Sequence, residues 1–207
     1  FRELNDRLSS SGQPLRPQLV ALAETGYEVV INLLPSNSRH ALPDEAEFVR
    51  ELGLVYVYIP VEWEHPTLDD LLAFFIAMDE HCRKRVLVHC AANMRASAFI
   101  ALYRIIRLGW DPHQAWQEVR TIWEPNPTWS RFMQDAIEVA PTTGLASADM
   151  TRSVSTVLIQ PAASESEIRA RHEENRRAWN EGAAAYTADV DNTIAFLRQG
   201  GSNLHPI

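Results

Sequence analysis

Residues 86–97 read "VLVHCAANMRAS". The stretch "RVLVH" is almost wholly apolar, the pattern of a strand covered on both faces. From Arg95 onward, "RASAFIALYRIIRLG" carries helical periodicity until Gly109. Cys90 therefore stands between the carboxyl end of a strand and the start of a helix. A thiol attacks phosphorus only as its thiolate, and a free thiol with a pKa near ~8.5 is mostly protonated at neutral pH. A helix N-terminus lowers that pKa and also presents unpaired backbone N–H groups to an anion. Ala91 and Ala92 leave room for an oxyanion to approach the backbone. Asn93 is one of the few non-glycine residues that accept the left-handed conformation an anion-cradling nest uses. Met94 and Ala96 complete the loop and the helix entry. Arg95 suits a two-pronged clamp on phosphate oxygens, and Ser97 is placed to donate a hydrogen bond to the departing thiolate. Each residue has a plainer reading: Cys90 as a small core hydrophobe, Arg95 as a surface helix charge.

Working outward, element types alternate over the first 140 residues. "PLRPQLVALAETGY" predicts a helix with Leu19, Leu22 and Ala23 on one face and Gly26 past its end. "YEVVINLL" predicts a strand stopped by Pro35, and "LPDEAEFVRELG" a helix with acidic residues in its first turn. "LVYVYIPV" is a further strand. "PTLDDLLAFFIAMDEHC" opens on Thr67 as N-cap with Asp70 three residues on, a variant of the capping box. Strand and helix in alternation imply an α/β fold, a central and mostly parallel sheet flanked by helices, with right-handed crossovers. Ligands of such sheets bind beyond the carboxyl ends of the strands, where Cys90 falls. Two more helices follow, carrying Trp110, Trp116, Trp123 and Trp129. These tryptophans fit core packing against the sheet or, alternatively, an aromatic rim around a pocket.

Composition narrows the function classes. The chain has 207 residues, 46% of them hydrophobic, enough for one well-filled domain. No apolar run approaches the roughly 18 residues of a membrane span. A formal charge of -8 argues against broad nucleic-acid binding. Two cysteines do not make a disulfide framework, and a reducing, cytoplasmic setting follows as the expectation. A Cys82–Cys90 disulfide or a zinc site is disfavoured because a strand between them, rising about 3.3 Å per residue, holds the sulfurs apart. No metal or other cofactor is expected.

"VHCAANMRAS", with "SSSGQP" and "VVINLLP", resembles the cysteine-dependent protein tyrosine phosphatases, in the bacterial dual-specificity-like branch. The resemblance spans residues 1–140 and implies a three-layer phosphatase fold with Cys90 as nucleophile, Arg95 as phosphate clamp, His89 holding the loop, and a loop of Ala91, Ala92, Asn93, Met94, Arg95, Ala96 and Ser97 around the phosphate. It implies a phosphorylated protein or a small phosphoester as substrate. The family's pattern is His-Cys, five residues, then Arg; here Ala96 occupies that position and Arg95 stands one residue early. Either the loop is a residue shorter or the arginine has moved within a loop of normal length. One helical position is about 100° of rotation, and oriented donors are worth about 3 kcal/mol each at the transition state. The family's acid is an Asp in the loop that here reads "IPVEWEHPT", which lacks one. Glu64 is the first candidate and Glu62 the second, each with a solvated loop carboxylate as its plainer reading.

Residues 141–165 read as a linker rich in Ser, Thr, Ala and Pro, with "VSTVLIQ" as a short strand. Residues 166–207 read as a helical extension, which resembles the N-terminal lead-in of class I S-adenosylmethionine-dependent methyltransferases, the start of a second domain. Three activities suit the cysteine loop: a phosphatase working through phosphocysteine, a phosphate-binding module without turnover, and a sulfur-transfer enzyme.

Overall fold

The computed structural model describes residues 1–143 and 145–146. The readings placed on residues 147–207, the short strand and the methyltransferase-like extension among them, lie outside the described residues. Five strands, β1 (Arg2–Asn5), β2 (Leu8–Ser11), β3 (Val29–Asn32), β4 (Val55–Tyr58) and β5 (Val86–His89), form one sheet in the order β1-β2-β5-β3-β4. The β2–β5, β5–β3 and β3–β4 pairs are parallel, and β1 pairs with β2 antiparallel. Among the described residues six helices flank the sheet: α1 (Arg16–Glu24), α2 (Glu45–Glu51), α3 (Leu68–Glu80), α4 (Met94–Ile106), α5 (Pro112–Arg120) and α6 (Pro127–Thr143). No helix among the described residues is long and apolar enough to cross a membrane.

Side chains of a strand alternate between faces, and here the alternation divides two cores. Val29, Ile31, Val86 and Val88 join Phe74, Phe75, Phe99, Trp129 and Phe132 from α3, α4 and α6. Val30 and Leu87 turn the other way and meet Leu19 and Leu22 of α1 and Val49 of α2. Helices thus cover both faces, and β5 has no polar exposed side. Trp123 and Trp129 are buried in the first core, as packing predicts. Trp110 lies beneath the Arg104 guanidinium, 4.3 Å from it.

Helix signals held where they were strongest. Thr67 accepts from the Asp70 amide and the Asp70 carboxylate accepts from the Thr67 amide, closing the capping box of α3. The N-terminal hairpin was not anticipated. β2 is "LSSS", fully buried yet without the β-branched residues that mark a central strand. Helix α6 also runs to Thr143, taking in the first three residues of the expected linker. Cys82 and Cys90 are both free thiols, one exposed and one buried.

What positions the site is the register of the parallel strands. Ser11, His89 and Asn32 stand side by side at the carboxyl ends of β2, β5 and β3, with Tyr58 of β4 beyond Asn32. A row of polar groups therefore closes an apolar sheet at the edge where the chain leaves β5 for Cys90.

Candidate active site

Cys90 follows β5 directly, and the chain needs only Ala91, Ala92 and Asn93 to reach α4. Asn93 takes the left-handed conformation its residue type allows, with φ 64°. Its side chain does not cap the helix; its amide instead donates to Ser10 Oγ at 3.1 Å. The opening amides of α4 have no intrahelical acceptor and no capping side chain, which leaves these donors open at the positive end of the helix dipole.

The loop is strapped to the β2–α1 connection. Gly12 bridges Ala92, the Gln13 amide donates to the Ala91 carbonyl at 3.0 Å, and the Cys90 amide donates to Ser11 O at 3.3 Å. Gly12 is required there: a Cβ at that position falls 2.8 Å from the Ala91 carbonyl oxygen.

The placement of α4 decides the register of the arginine. The helix begins at Met94, so Arg95 occupies its first turn. Ala96 is 0% exposed and belongs to the core, so an arginine there faces apolar side chains and not the loop. Arg95 is the position that turns outward. Its guanidinium carbon lies 5.2 Å from the ring centroid of Trp63, and its Nε is buried without a hydrogen-bond partner. Among the described residues no carboxylate pairs with it. A cation in the first turn of a helix sits at the wrong end of the dipole. An anion on the loop resolves both positive features together.

Trp63, which no local pattern marks, joins its loop to the first turn of α4. Its ring packs at a tilt against Trp123 and Trp129, centroids 5.4 and 5.3 Å away, and its carbonyl accepts from Trp129 Nε1 at 2.9 Å. The two expected acids, Glu62 and Glu64, flank it and are exposed. The structure thus brings their loop to the arginine. Ser97 is buried, donates to the Met94 carbonyl and accepts from Trp123 Nε1 at 3.2 Å. Its hydroxyl is committed to the helix and to Trp123. Cys90 is 0% exposed and packs with the larger core, at the base of the loop.

Beneath the loop, His89 meets a partner that no motif marks, Glu45. His89 is fully buried, and its Nε2 lies 3.3 Å from Glu45 Oε1. Glu45 accepts from Gln13 Nε2 and Asn32 Nδ2, both at 2.7 Å, and from the Tyr56 hydroxyl at 3.2 Å. Burial raises the Glu45 carboxyl from 4.5 to about 7 and lowers His89 from 6.5 to about 3. A contact of 3.3 Å would suit an ion pair, but removing two charges from water exceeds what one imperfectly aligned contact returns. We read the pair as neutral. The spacing of Glu45 to buried Val49, one helical turn, is the signal that could have revealed it: Glu45 lies on the apolar face of α2.

The family model described as "DSP-PTPase phosphatase fused to NAD+ Kinase" matches residues 3–132. A DUF442 phosphatase-class protein from Shewanella putrefaciens is 42% identical, with a TM-score of 0.59 over 65% of this chain and 89% of that one. Tk-PTP, at 20% identity and a TM-score of 0.57 over 65% of this chain and 93% of its own, shares the fold. The beta-lactamase hydrolase-like protein of Xylella fastidiosa (strain Temecula1) is 35% identical over 107 residues, half of this chain and a quarter of that protein. The chain spans about a quarter of the length of the curated relatives it matches. With its cysteine loop, its sheet order and its match over residues 3–132, the chain belongs to the DSP-PTPase phosphatase family, the branch described as fused to NAD+ kinase.

Proposed function

We propose that the domain hydrolyses phosphotyrosine or a small phosphomonoester through a phosphocysteine intermediate. The observation that carries this reading is the uncapped N-terminus of α4 beside the unpaired Arg95. Both positive features belong to the first turn of α4, directly after the cysteine loop, and an anion bound there satisfies both. Cys90 Sγ, as thiolate, forms a bond to phosphorus while the bond from phosphorus to the leaving oxygen breaks. The leaving oxygen takes its proton from Glu64 or Glu62 on the neighbouring loop. Water then attacks phosphorus and gives a proton back to the same carboxylate. The sulfur–phosphorus bond breaks, releasing inorganic phosphate and the thiolate. The amides of residues 91–96 and the Arg95 guanidinium cradle the phosphate, while Ser97 stays bonded to Met94 and Trp123 and His89 packs beneath the loop.

The test is release of p-nitrophenol from p-nitrophenyl phosphate. Cys90→Ser abolishes it; a rate that persists in the variant overturns the phosphocysteine step. A second reading rests on the complete burial of Cys90 and the solvent position of both acids. An anion held by loop amides and Arg95, with the sulfur out of reach, makes a phosphate-binding module without turnover. Calorimetry with vanadate or a phosphopeptide that detects binding in a chain releasing no p-nitrophenol selects this second reading.

A further inference from the structure

Glu45 touches more of the site's scaffold than any catalytic candidate does. Its carboxyl receives Gln13 from the β2–α1 connection, Asn32 from the end of β3 and Tyr56 from β4, and it lies against His89 of β5. Gln13 is the residue whose amide holds the Ala91 carbonyl, and His89 immediately precedes Cys90. One carboxyl thereby joins the Gln13 strap of the cysteine loop to three strands. We propose that Glu45 is a positioning residue for the phosphate site and that it fills this role as the neutral acid, so that loss of its proton opposes the bound anion. The inference rests on the phosphate-site reading given above, though not on turnover.

The groups facing Glu45 explain why its charge matters. From β5 comes His89, neutral because it is wholly buried; from β4 comes the Tyr56 hydroxyl, which burial and the carboxyl itself keep protonated. Gln13 and Asn32 are uncharged. On its own helix, Arg50 is turned over the Tyr56 ring, 5.8 Å from the centroid. Among the described residues no lysine or arginine pairs with Glu45. A carboxylate formed here has no counter-charge, at 4% exposure is scarcely hydrated, and stands beneath an anion cradle. Its field is weakly screened and acts against a phosphate dianion.

The experiment measures vanadate affinity by calorimetry and p-nitrophenyl phosphate kinetics from pH 5.5 to 8.5, for the parent, Glu45→Gln and Glu45→Ala. Glu45→Ala lowers kcat about tenfold or more, since loop displacements of a fraction of an ångström cost that much, while KM changes less than twofold. Glu45→Gln, which keeps an uncharged side chain of the same shape, recovers most of that loss. In the parent, vanadate affinity falls severalfold as the pH rises through 7 beyond the fall seen in Glu45→Gln. Equal affinity and kcat in all three proteins overturns the proposal, and so does a pH profile shared by parent and Glu45→Gln. A parent that binds vanadate without turnover discards the phosphatase reading and leaves the affinity comparison to decide on Glu45. A parent that does neither removes the site, and Glu45's role with it.

Discussion

Gly12→Ala probes the strap that sets the loop's position. The added Cβ lies 2.8 Å from the Ala91 carbonyl oxygen, whereas ordinary contact begins at 3.4 Å. The two backbones must separate by about 0.6 Å, the difference of those distances. Neither is a flexible side chain: the Gly12–Ala92 bridge and the Gln13–Ala91 hydrogen bond tie both segments. Overpacking of this kind costs about 1–3 kcal/mol of stability. A misplacement of 1 Å at a reacting centre costs about a hundredfold in rate, so just over half of that predicts a loss of about tenfold or more in kcat. The assay pairs kcat on p-nitrophenyl phosphate with urea unfolding of the same sample. Gly26→Ala is the control, because Gly26 has φ 85° with nothing near its missing side chain. It loses about 1 kcal/mol through backbone strain and keeps its rate. A Gly12→Ala enzyme with kcat within twofold of the parent would refute the idea that this contact sets the loop.

The neutral Glu45–His89 pair makes a stability prediction with a definite sign. Glu45 titrates from 4.5 to about 7 on folding, so its contribution is full below 4.5 and is lost as the pH rises toward 7. His89 drops from 6.5 to about 3, so its contribution is full above 6.5 and is lost as the pH falls toward 3. Between 4.5 and 6.5 the two slopes cancel, because folding moves one proton from the histidine to the carboxyl. Urea unfolding of Glu45→Gln against the parent isolates the carboxyl: the difference shifts toward the variant by about 3 kcal/mol between pH 4.5 and 7. A difference independent of pH sinks the neutral-pair assignment. Ala96→Arg restores the spacing typical of tyrosine phosphatases and places a charge in the core. It destabilises the fold by several kcal/mol, and thermal melting together with Ala96→Arg/Arg95→Ala activity checks that no rate is gained; a stable, faster double variant contradicts the outward placement of Arg95.

Much of this was legible because it follows from local rules. The apolar run ending at His89, the small residues of 91–92 and the tolerance of Asn93 for left-handed backbone each constrain one segment alone. Thr67 and Asp70 announced the start of α3 in the same way. Other features needed the third dimension. β2 is a buried strand of serines because its neighbours are β1 and β5, and nothing in "LSSS" says so. Trp63 sits in a loop 32 residues before Arg95, and its role exists only once Trp123 and Trp129 fix it. The displaced arginine was ambiguous for a related reason. Spacing alone could not say where α4 begins; the helix starts at Met94 and puts Arg95 in its first turn.

Glu45 shows why such ambiguity concentrates at the site. In isolation it is one of two glutamates in the first turn of α2, where the helix dipole welcomes either. Only register separates them. Glu45 shares a face with Val49 and turns inward, while Glu47 stays in solvent. A buried carboxyl is expensive unless it is satisfied, and three donors from three separated segments satisfy this one. An apolar residue of the same size would take from Gln13 its 2.7 Å acceptor and leave Asn32 only the Tyr56 hydroxyl. Retaining a buried acid there is therefore a cost in stability with a return in geometry, because it fixes the ends of β3 and β5 and the strap over Ala91 against one another. The same carboxyl that makes the loop rigid also makes it sensitive to pH, since rigidity and charge reside in a single group.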